Sequence, residues 1–186
     1  MVYTDKLQKA TYLAIQAHNG QVRKGKFIVP YVTHPLTVGL ILAKIGADEN
    51  VIIAGILHDS IEDTDVTKEK IKKEFGEEVC EMVDDVTEQD KTLPWDTRKR
   101  LAMEHIPHMN HGSLLVKSAD LLHNLTDIIA DYKKEGEEIF KIFHASKKMQ
   151  LERYNNLISA IEKAWTENPL LPDLKKAQIE IGKFWD

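Results

Sequence analysis

Residues 51–64 read VIIAGILHDSIEDT. Val51, Ile52, Ile53, Ala54, Ile56 and Leu57 form a run with almost no polar atoms, and it ends at His58-Asp59. Glu62 and Asp63 follow within about one helical turn. A helix that is apolar on every side is buried, so its end delivers an imidazole and a carboxylate into the interior. Buried charge is costly unless it is paired or binds a metal. Neutral His with Asp is a mixed nitrogen and oxygen donor set suited to a divalent transition metal. The dipeptide alone also reads as a structural His–Asp hydrogen bond at a helix end.

Three other stretches carry groups that could join such a centre. Thr33-His34-Pro35 predicts a helix start, with Pro35 at the first helical position, where its missing N–H costs nothing. The helix dipole there disfavours a protonated His34, and neutral imidazole is the metal-binding form. In SLLVKSADLLHNLTDIIADY, residues 113–132, Lys117, Asp120 and Asn124 fall at i, i+3 and i+7. One helix face thus carries an amine, a carboxylate and an amide, as a site or as a solvated face. The Gly-, Pro- and basic-rich loop GQVRKGKFIVPYVTHP clusters Arg23, Lys24 and Lys26 in an acidic chain. It reads as solvated surface or as a nucleotide clamp, because Arg both pairs phosphate and stacks on bases. His105, His108 and His111 recur every three residues, but Pro107 breaks the helix that would align them, so a surface loop is the reading preferred over a metal cluster. His18 continues an apolar helix face and reads as a satisfied histidine.

Helices with short loops position these groups. Leu7, Ala10, Leu13, Ala14 and Ala17 recur at helical spacing, with Gly20 as a stop. Leu36, Gly39, Leu40 and Ala43 give the second helix a core face, and Gly46 can end it. Asp48 is a candidate cap for the central helix, which runs to His58. Ile71 and Phe75, then Val79, Met82, Val83 and Val86, predict two short helices divided by Gly76. TEQDKTLPWDT reads as a loop, and the next helix starts at Asp96 or Thr97. Ile139 to Ile161 predict one long amphipathic helix reaching about Trp165, and Leu174–Trp185 closes the chain. The fold class expected is all-α, a single domain over residues 1–186.

Composition narrows the function. Hydrophobic residues make up 42% and charged residues 30%, the balance of an ordinary globular chain. A net charge of −5 argues against a nucleic-acid partner bound by phosphate neutralisation, but a small nucleotide needs only a local basic patch. Cys80 is the only cysteine, so no internal disulfide forms. No apolar run approaches the ~20 residues that span a bilayer, and no signal peptide is evident. No membrane partner is expected, and a reducing cytoplasm is the default. No oligomeric state follows from the sequence.

His34, the pair His58-Asp59, and Asp120 about 60 residues on resemble the signature of HD-domain metal-dependent phosphohydrolases. AHNGQVRKG, PYVTHPLTVGLIL, AGILHDSIEDT, FGEEV, DDVTEQ and VKSADLLHNL are similar, in order and rough spacing, to the hydrolase domain of the RelA/SpoT homologues. The motif-bearing part covers about residues 4–132, followed by C-terminal helices over about 137–185. The rest is too short for synthetase and regulatory domains, so the closest likeness is to the small stand-alone alarmone hydrolases. The resemblance implies an HD-domain helical bundle that removes the 3′-pyrophosphate of ppGpp and pppGpp with Mn²⁺. It implies His34, His58, Asp59 and Asp120 as metal ligands, Glu62 and Asp63 as the catalytic acid/base pair, and Arg23, Lys24, Lys117 and Asn124 as substrate contacts. The family commonly has a basic residue after the Asp of its AD motif and an Arg two positions past the Asn, where this chain has Leu121 and Thr126. Both changes are expected to remove positive charge near the nucleotide. Another nucleotide or phosphoester is therefore the alternative substrate. A non-catalytic nucleotide sensor is a further alternative, against which the intact Glu62-Asp63 pair argues.

Overall fold

The computed structural model describes residues 3–23, 28–88, 91–142 and 146–184. Its elements are all helical: α1 (Asp5–Ala17), α2 (Thr33–Lys44), α3 (Glu49–Leu57), α4 (Ser60–Asp63), α5 (Lys68–Phe75), α6 (Glu77–Val86), α7 (Trp95–His105), α8 (His111–Glu135), α9 (Lys147–Ala164) and α10 (Leu171–Gly182). Short 3₁₀ turns cover Ile106–His108 and Gly136–Ile142. Among the described residues the only extended pairing outside helices is one antiparallel bridge, Val22 to Pro30. None of the described helices is long and apolar enough to cross a membrane.

Every residue of α3 from Val51 to Leu57 is buried, as its all-round apolar sequence requires. It packs in a first core with Ala10, Leu13 and Ala14 of α1, Val38 and Leu42 of α2, Ile71 and Phe75 of α5, Val79, Met82 and Val83 of α6, and Val116 and Ala119 of α8. A second core joins Leu121, Leu125, Ile128 and Ile129 of α8 to Tyr154, Leu157, Ile158 and Ile161 of α9 and to Leu171, Leu174 and Ile181 of α10. The long helix α8 therefore belongs to both cores.

Several local expectations are corrected. Pro35 is the third residue of α2, not the first, because the Thr33 and His34 amides already bond to the Pro30 and Tyr31 carbonyls. It is tolerated there because first-turn N–H groups have no intrahelical acceptor. Asp48 stands at the N-cap of α3 in extended conformation, but its side chain makes no capping bond. The central helix ends at Leu57, with His58 as its C-cap. The next-but-three helix, α7, begins at Trp95, directly after Pro94. The predicted long C-terminal helix is divided: Gly136, at φ 62°, ends α8, and α9 starts afresh where the Ser146 hydroxyl accepts the Met149 amide. The last helix starts at Leu171 with Pro172 in its first turn, where proline fits.

α2 and α3 approach closely because glycine faces bulk on both sides. A Cβ added at Gly39 would lie 2.6 Å from Ile56 Cγ1, and one at Gly55 would collide with Leu42 Cδ1. The N-terminus of α2 carries His34 and the C-terminus of α3 leads into His58, so this contact sets how near the two imidazoles come. In an open helix Gly→Ala stabilises by about 1 kcal/mol. Here overpacking, at about 1–3 kcal/mol, should win. Gly39→Ala is expected to lower the melting temperature, and a rise in the thermal melt would show that the helices yield without cost.

Candidate metal centre and active site

His58 emerges from α3 fully buried. Its Nδ1 lies 2.8 Å from the Gly55 carbonyl oxygen. A carbonyl only accepts, so Nδ1 carries a proton, and in the neutral ring Nε2 presents a lone pair. That Nε2 is buried without a hydrogen-bond partner, 3.1 Å from Asp59 Oδ2 and 3.8 Å from Asp120 Oδ1. From the first turn of α2, His34 Nε2 reaches 3.3 Å from Asp120 Oδ1 and 3.6 Å from Asp59 Oδ2. Donor atoms of His34, His58 and Asp120 all lie within 4.8 Å of one another. Metal–ligand bonds of about 2.0–2.2 Å put neighbouring donors about 3 Å apart, close to these spacings. A small divalent cation fits the donor set, and the unpaired His58 Nε2 is the group it would satisfy.

The electrostatics point the same way. Burial pulls His58 down, but Asp59 and Asp120 outweigh it and push its pKa up to about 9. Burial works upward on both carboxyls. His58 nevertheless holds Asp59 below the usual range, and Lys117, with the two histidines, holds Asp120 well below it. The donor set thus holds a proton when no metal is bound.

Further contacts surround it. Tyr31 donates its hydroxyl to Asp59 Oδ2 at 2.5 Å, and burial together with Asp59 drives its pKa far up. Asn124 Nδ2 donates to Asp120 Oδ1 at 2.6 Å, and Lys117 Nζ lies 3.3 Å from Asp120 Oδ2. The loop closed by the Val22–Pro30 bridge swings Arg23 onto α8, where Nη2 donates to Asp127 Oδ2 at 2.5 Å and to Asn124 Oδ1 at 3.2 Å. Its guanidinium also sits 5.9 Å from the centroid of the Tyr31 ring. Lys24 lies outside the described residues.

Glu62 and Asp63 project from α4, whose last amide, Asp63 N, bonds to Asp59 O at 2.9 Å. Burial raises the pKa of Glu62, and Glu88, Asp59 and Asp63 add to this against the Glu88 amide, which donates to Glu62 Oε2 at 3.2 Å. Lys91 Nζ bonds Asp63 Oδ1 at 2.7 Å and the Glu62 carbonyl. Gln21 Nε2 reaches the Asp63 carbonyl at 2.7 Å. Glu88 is itself fixed by Arg98 and Lys99 of α7.

Tyr31, Lys91, His123 and Asp127 were not singled out by sequence reasoning. The signals lay in plain view: Tyr31 is three residues before His34, and His123 and Asp127 are i+3 and i+7 from Asp120 on α8. The reach of Lys91 across the loop had no local signal. His18 is buried and bonds Gln21 through Nδ1 at 2.7 Å. The three later histidines do not converge: His105 pairs with Asp85 at 2.9 Å, and His111 stacks on Trp165 with centroids 4.0 Å apart.

The two departures from the family pattern, Leu121 and Thr126, have different surroundings. Leu121 is buried in the second core, and Thr126 faces a groove lined by Thr37, Lys133 and Lys176. Thr126 lies well round the helix from Lys117, Asp120 and Asn124, whereas Leu121, four residues after Lys117 and three before Asn124, borders their face with its side chain buried.

A family model described as HD domain matches residues 10–149. The chain belongs to the HD-domain family. This HD-domain chain is 46% identical over 122 residues to the guanosine-3′,5′-bis(diphosphate) 3′-pyrophosphohydrolase MESH1 of Xenopus tropicalis, covering 64% of this chain and 68% of that one. With the Homo sapiens MESH1 of the same description the identity is 41% over 124 residues, covering 66% and 69%. A solved structure of a metazoan SpoT ortholog, which hydrolyses ppGpp and plays a role in starvation responses, superposes with a TM-score of 0.84 at 28% identity over 98% of both chains.

If a metal replaces the proton that His58 otherwise holds, binding and pH are linked. His58 is raised above its ordinary value, so in metal-free protein its contribution to stability is complete below about 6.5 and is lost as pH rises through about 9. A bound ion removes that loss. The gain in melting temperature on adding Mn²⁺ should therefore grow from pH 6.5 to 9, at about one ion per chain. Asp59→Ala should abolish the gain. A gain that shrinks with rising pH, or elemental analysis showing no metal in protein supplied with it, would remove the centre.

Proposed function

We propose that this chain is a Mn²⁺-dependent hydrolase that removes the 3′-diphosphate of guanosine 3′,5′-bis(diphosphate) and of its pentaphosphate analogue. The observation that carries the reading is the unpaired, buried Nε2 of His58 within a His/Asp donor set, in a chain similar to curated pyrophosphohydrolases of that substrate. His34, His58, Asp59 and Asp120 would hold the ion. When bound it supplies neutralisation of phosphoryl charge and a water of lowered pKa.

The remaining groups divide the other tasks. Glu62, with its pKa raised by burial, holds and exchanges a proton more readily than an ordinary glutamate. Asp63, steadied by Lys91, is the second acid/base group. Water adds to the phosphorus attached to the ribose 3′ oxygen, that P–O bond breaks, and the 3′ oxygen receives a proton. From the bis(diphosphate), the products are guanosine 5′-diphosphate and pyrophosphate. Arg23 binds base or phosphate, Asn124 hydrogen-bonds the ribose, and Lys117 orders the Asp120 face. Lys24 belongs to the same basic loop and is assigned with Arg23. Leu121 is packed in the second core and Thr126 faces the groove beside Lys133 and Lys176; the nucleotide panel below tests whether these two departures change the substrate.

Residues 1–186 are read as one HD-type domain, supported by the sharing of α8 between both apolar cores. A cytoplasmic location is supported by the single cysteine, Cys80, which is buried and free. The acidic chain is read as having no nucleic-acid partner.

The direct test incubates purified protein and Mn²⁺ with a nucleotide panel and measures released phosphate and pyrophosphate. Pyrophosphate from the bis(diphosphate) is expected; turnover of none of the panel would favour a sensor. Glu62→Gln should keep its metal and lose about 10²–10⁴-fold in turnover. Because burial disfavours ionised Glu62, the metal-free variant should melt no lower than wild type at pH 7, and any advantage should vanish below its unfolded pKa. Unchanged turnover would take Glu62 out of the reaction. Arg23→Ala should cost about 1.5–3 kcal/mol, roughly 10- to 100-fold in kcat/KM, with metal content intact. Full activity in that variant would return the loop to solvated surface.

A further inference from the structure

The proton positions of two imidazoles follow from their surroundings. Nε2 is the His34 nitrogen turned to Asp120 and Asp59. For that nitrogen to bind a cation its lone pair must be free, which puts the proton of the neutral ring on Nδ1. His34 Nδ1 lies 2.7 Å from His123 Nδ1. A hydrogen bond between ring nitrogens needs one N–H and one lone pair, so His34 donates and His123 Nδ1 accepts. The proton of His123 is then on Nε2, and that atom faces Asp127 Oδ1 at 3.7 Å. This distance is longer than a direct hydrogen bond, and a small side-chain shift would close it.

The contacts continue into a circuit of neighbours, in which His123 to Asp127 and Asp120 to His34 are close contacts and not hydrogen bonds. The other Asp127 oxygen takes Arg23 Nη2 at 2.5 Å. Arg23 donates to Asn124 Oδ1, and Asn124 donates to Asp120 Oδ1, which is 3.3 Å from His34 Nε2. His123, Asn124 and Asp127 can all do this because they follow Asp120 at i+3, i+4 and i+7 on α8. His34 is buried, and among the described residues its Nδ1 has no hydrogen-bond partner other than His123.

We propose that His123 is a positioning residue that holds His34 in its ligating tautomer, and that Asp127 ties this pair to Arg23. The inference rests on the metal reading of the site given above. Without an acceptor beside Nδ1, His34 would be free to place its proton on Nε2, facing the carboxylates, and that tautomer binds no metal. Residues that orient a metal ligand typically contribute about 10–100-fold in metal affinity.

The test titrates Mn²⁺ alone into wild type, His123→Ala, His123→Asn and Asp127→Ala, with metal-free melts to establish that each is folded. His123→Ala should bind Mn²⁺ about 10- to 100-fold more weakly. Asn places its Oδ1 near the position of His Nδ1 and can accept the same proton, so His123→Asn should recover most of that loss. Nucleotide turnover by His123→Ala should be restored by raising Mn²⁺, with the nucleotide KM unchanged. Asp127→Ala should raise the nucleotide KM, because Arg23 loses its anchor. Wild-type affinity in His123→Ala would overturn the proposal. So would His123→Asn binding as weakly as His123→Ala at an unchanged melting temperature, since packing and not acceptance would then matter. An unmoved KM in Asp127→Ala would detach Arg23 from the circuit. If wild type itself binds no Mn²⁺, the metal reading fails first, and that outcome is visible before any variant is compared.

Discussion

Two buried imidazole nitrogens and two largely buried carboxylates lie close together and favour a positive charge among them. This constraint organises the molecule. Three distant segments supply the groups: the start of α2, the end of α3 and the middle of α8. Desolvation penalises each carboxylate; Lys117, Asn124 and the Tyr31 hydroxyl offset part of that cost, and a cation at the point of convergence offsets more. A proton on His58 meets the need in the metal-free protein, and a divalent ion meets it in a way that also serves phosphoryl chemistry.

The cores exist in positions that make this convergence rigid. α3 is buried on all sides and cannot rotate without exposing Val, Ile and Leu side chains to water. The glycines at 39 and 55 let α2 lie against it with little intervening volume. α8 crosses both cores, so its polar face is held from both ends. Asp120 therefore meets His34 and His58 at a spacing set by apolar packing, while Lys117 and Asn124, one turn to either side, orient its two oxygens.

Glu62 and Asp63, the proposed acid/base pair, are mounted differently. α4 is a single turn, and Glu62 and Asp63 depend on outside contacts: the Glu88 amide, Lys91 and Gln21. Glu88 in turn is tied to α7, a helix with no buried residue, through Arg98 and Lys99. The His/Asp donor set thus hangs on apolar cores, and Glu62 and Asp63 hang on polar links that are partly open to solvent. Elements held by few buried apolar contacts open at lower free energy, which suits the side of a site that must admit and release a charged substrate.

Much of this was legible in the sequence. The all-round apolar run before His58, the helical periods, and Lys117, Asp120 and Asn124 at i, i+3 and i+7 are local patterns, and local patterns determine which helices form and which face each group occupies. The resemblance to the HD-domain hydrolases added which groups belong together. What the sequence could not decide was direction and distance between elements. Leu121 neighbours Asp120 in the chain, yet its side chain enters the second core, because successive helical residues point about 100° apart and only packing tells which side faces the protein. Arg23 meets Asp127, and Lys91 meets Asp63, across loops whose geometry carries no periodic signal. His34 and His123 lie far apart in sequence and 2.7 Å apart in space. The sequence by itself determined the helices and the chemistry each one carries; the tertiary structure decided which charges meet, because that depends on how apolar faces pack and not on residue order.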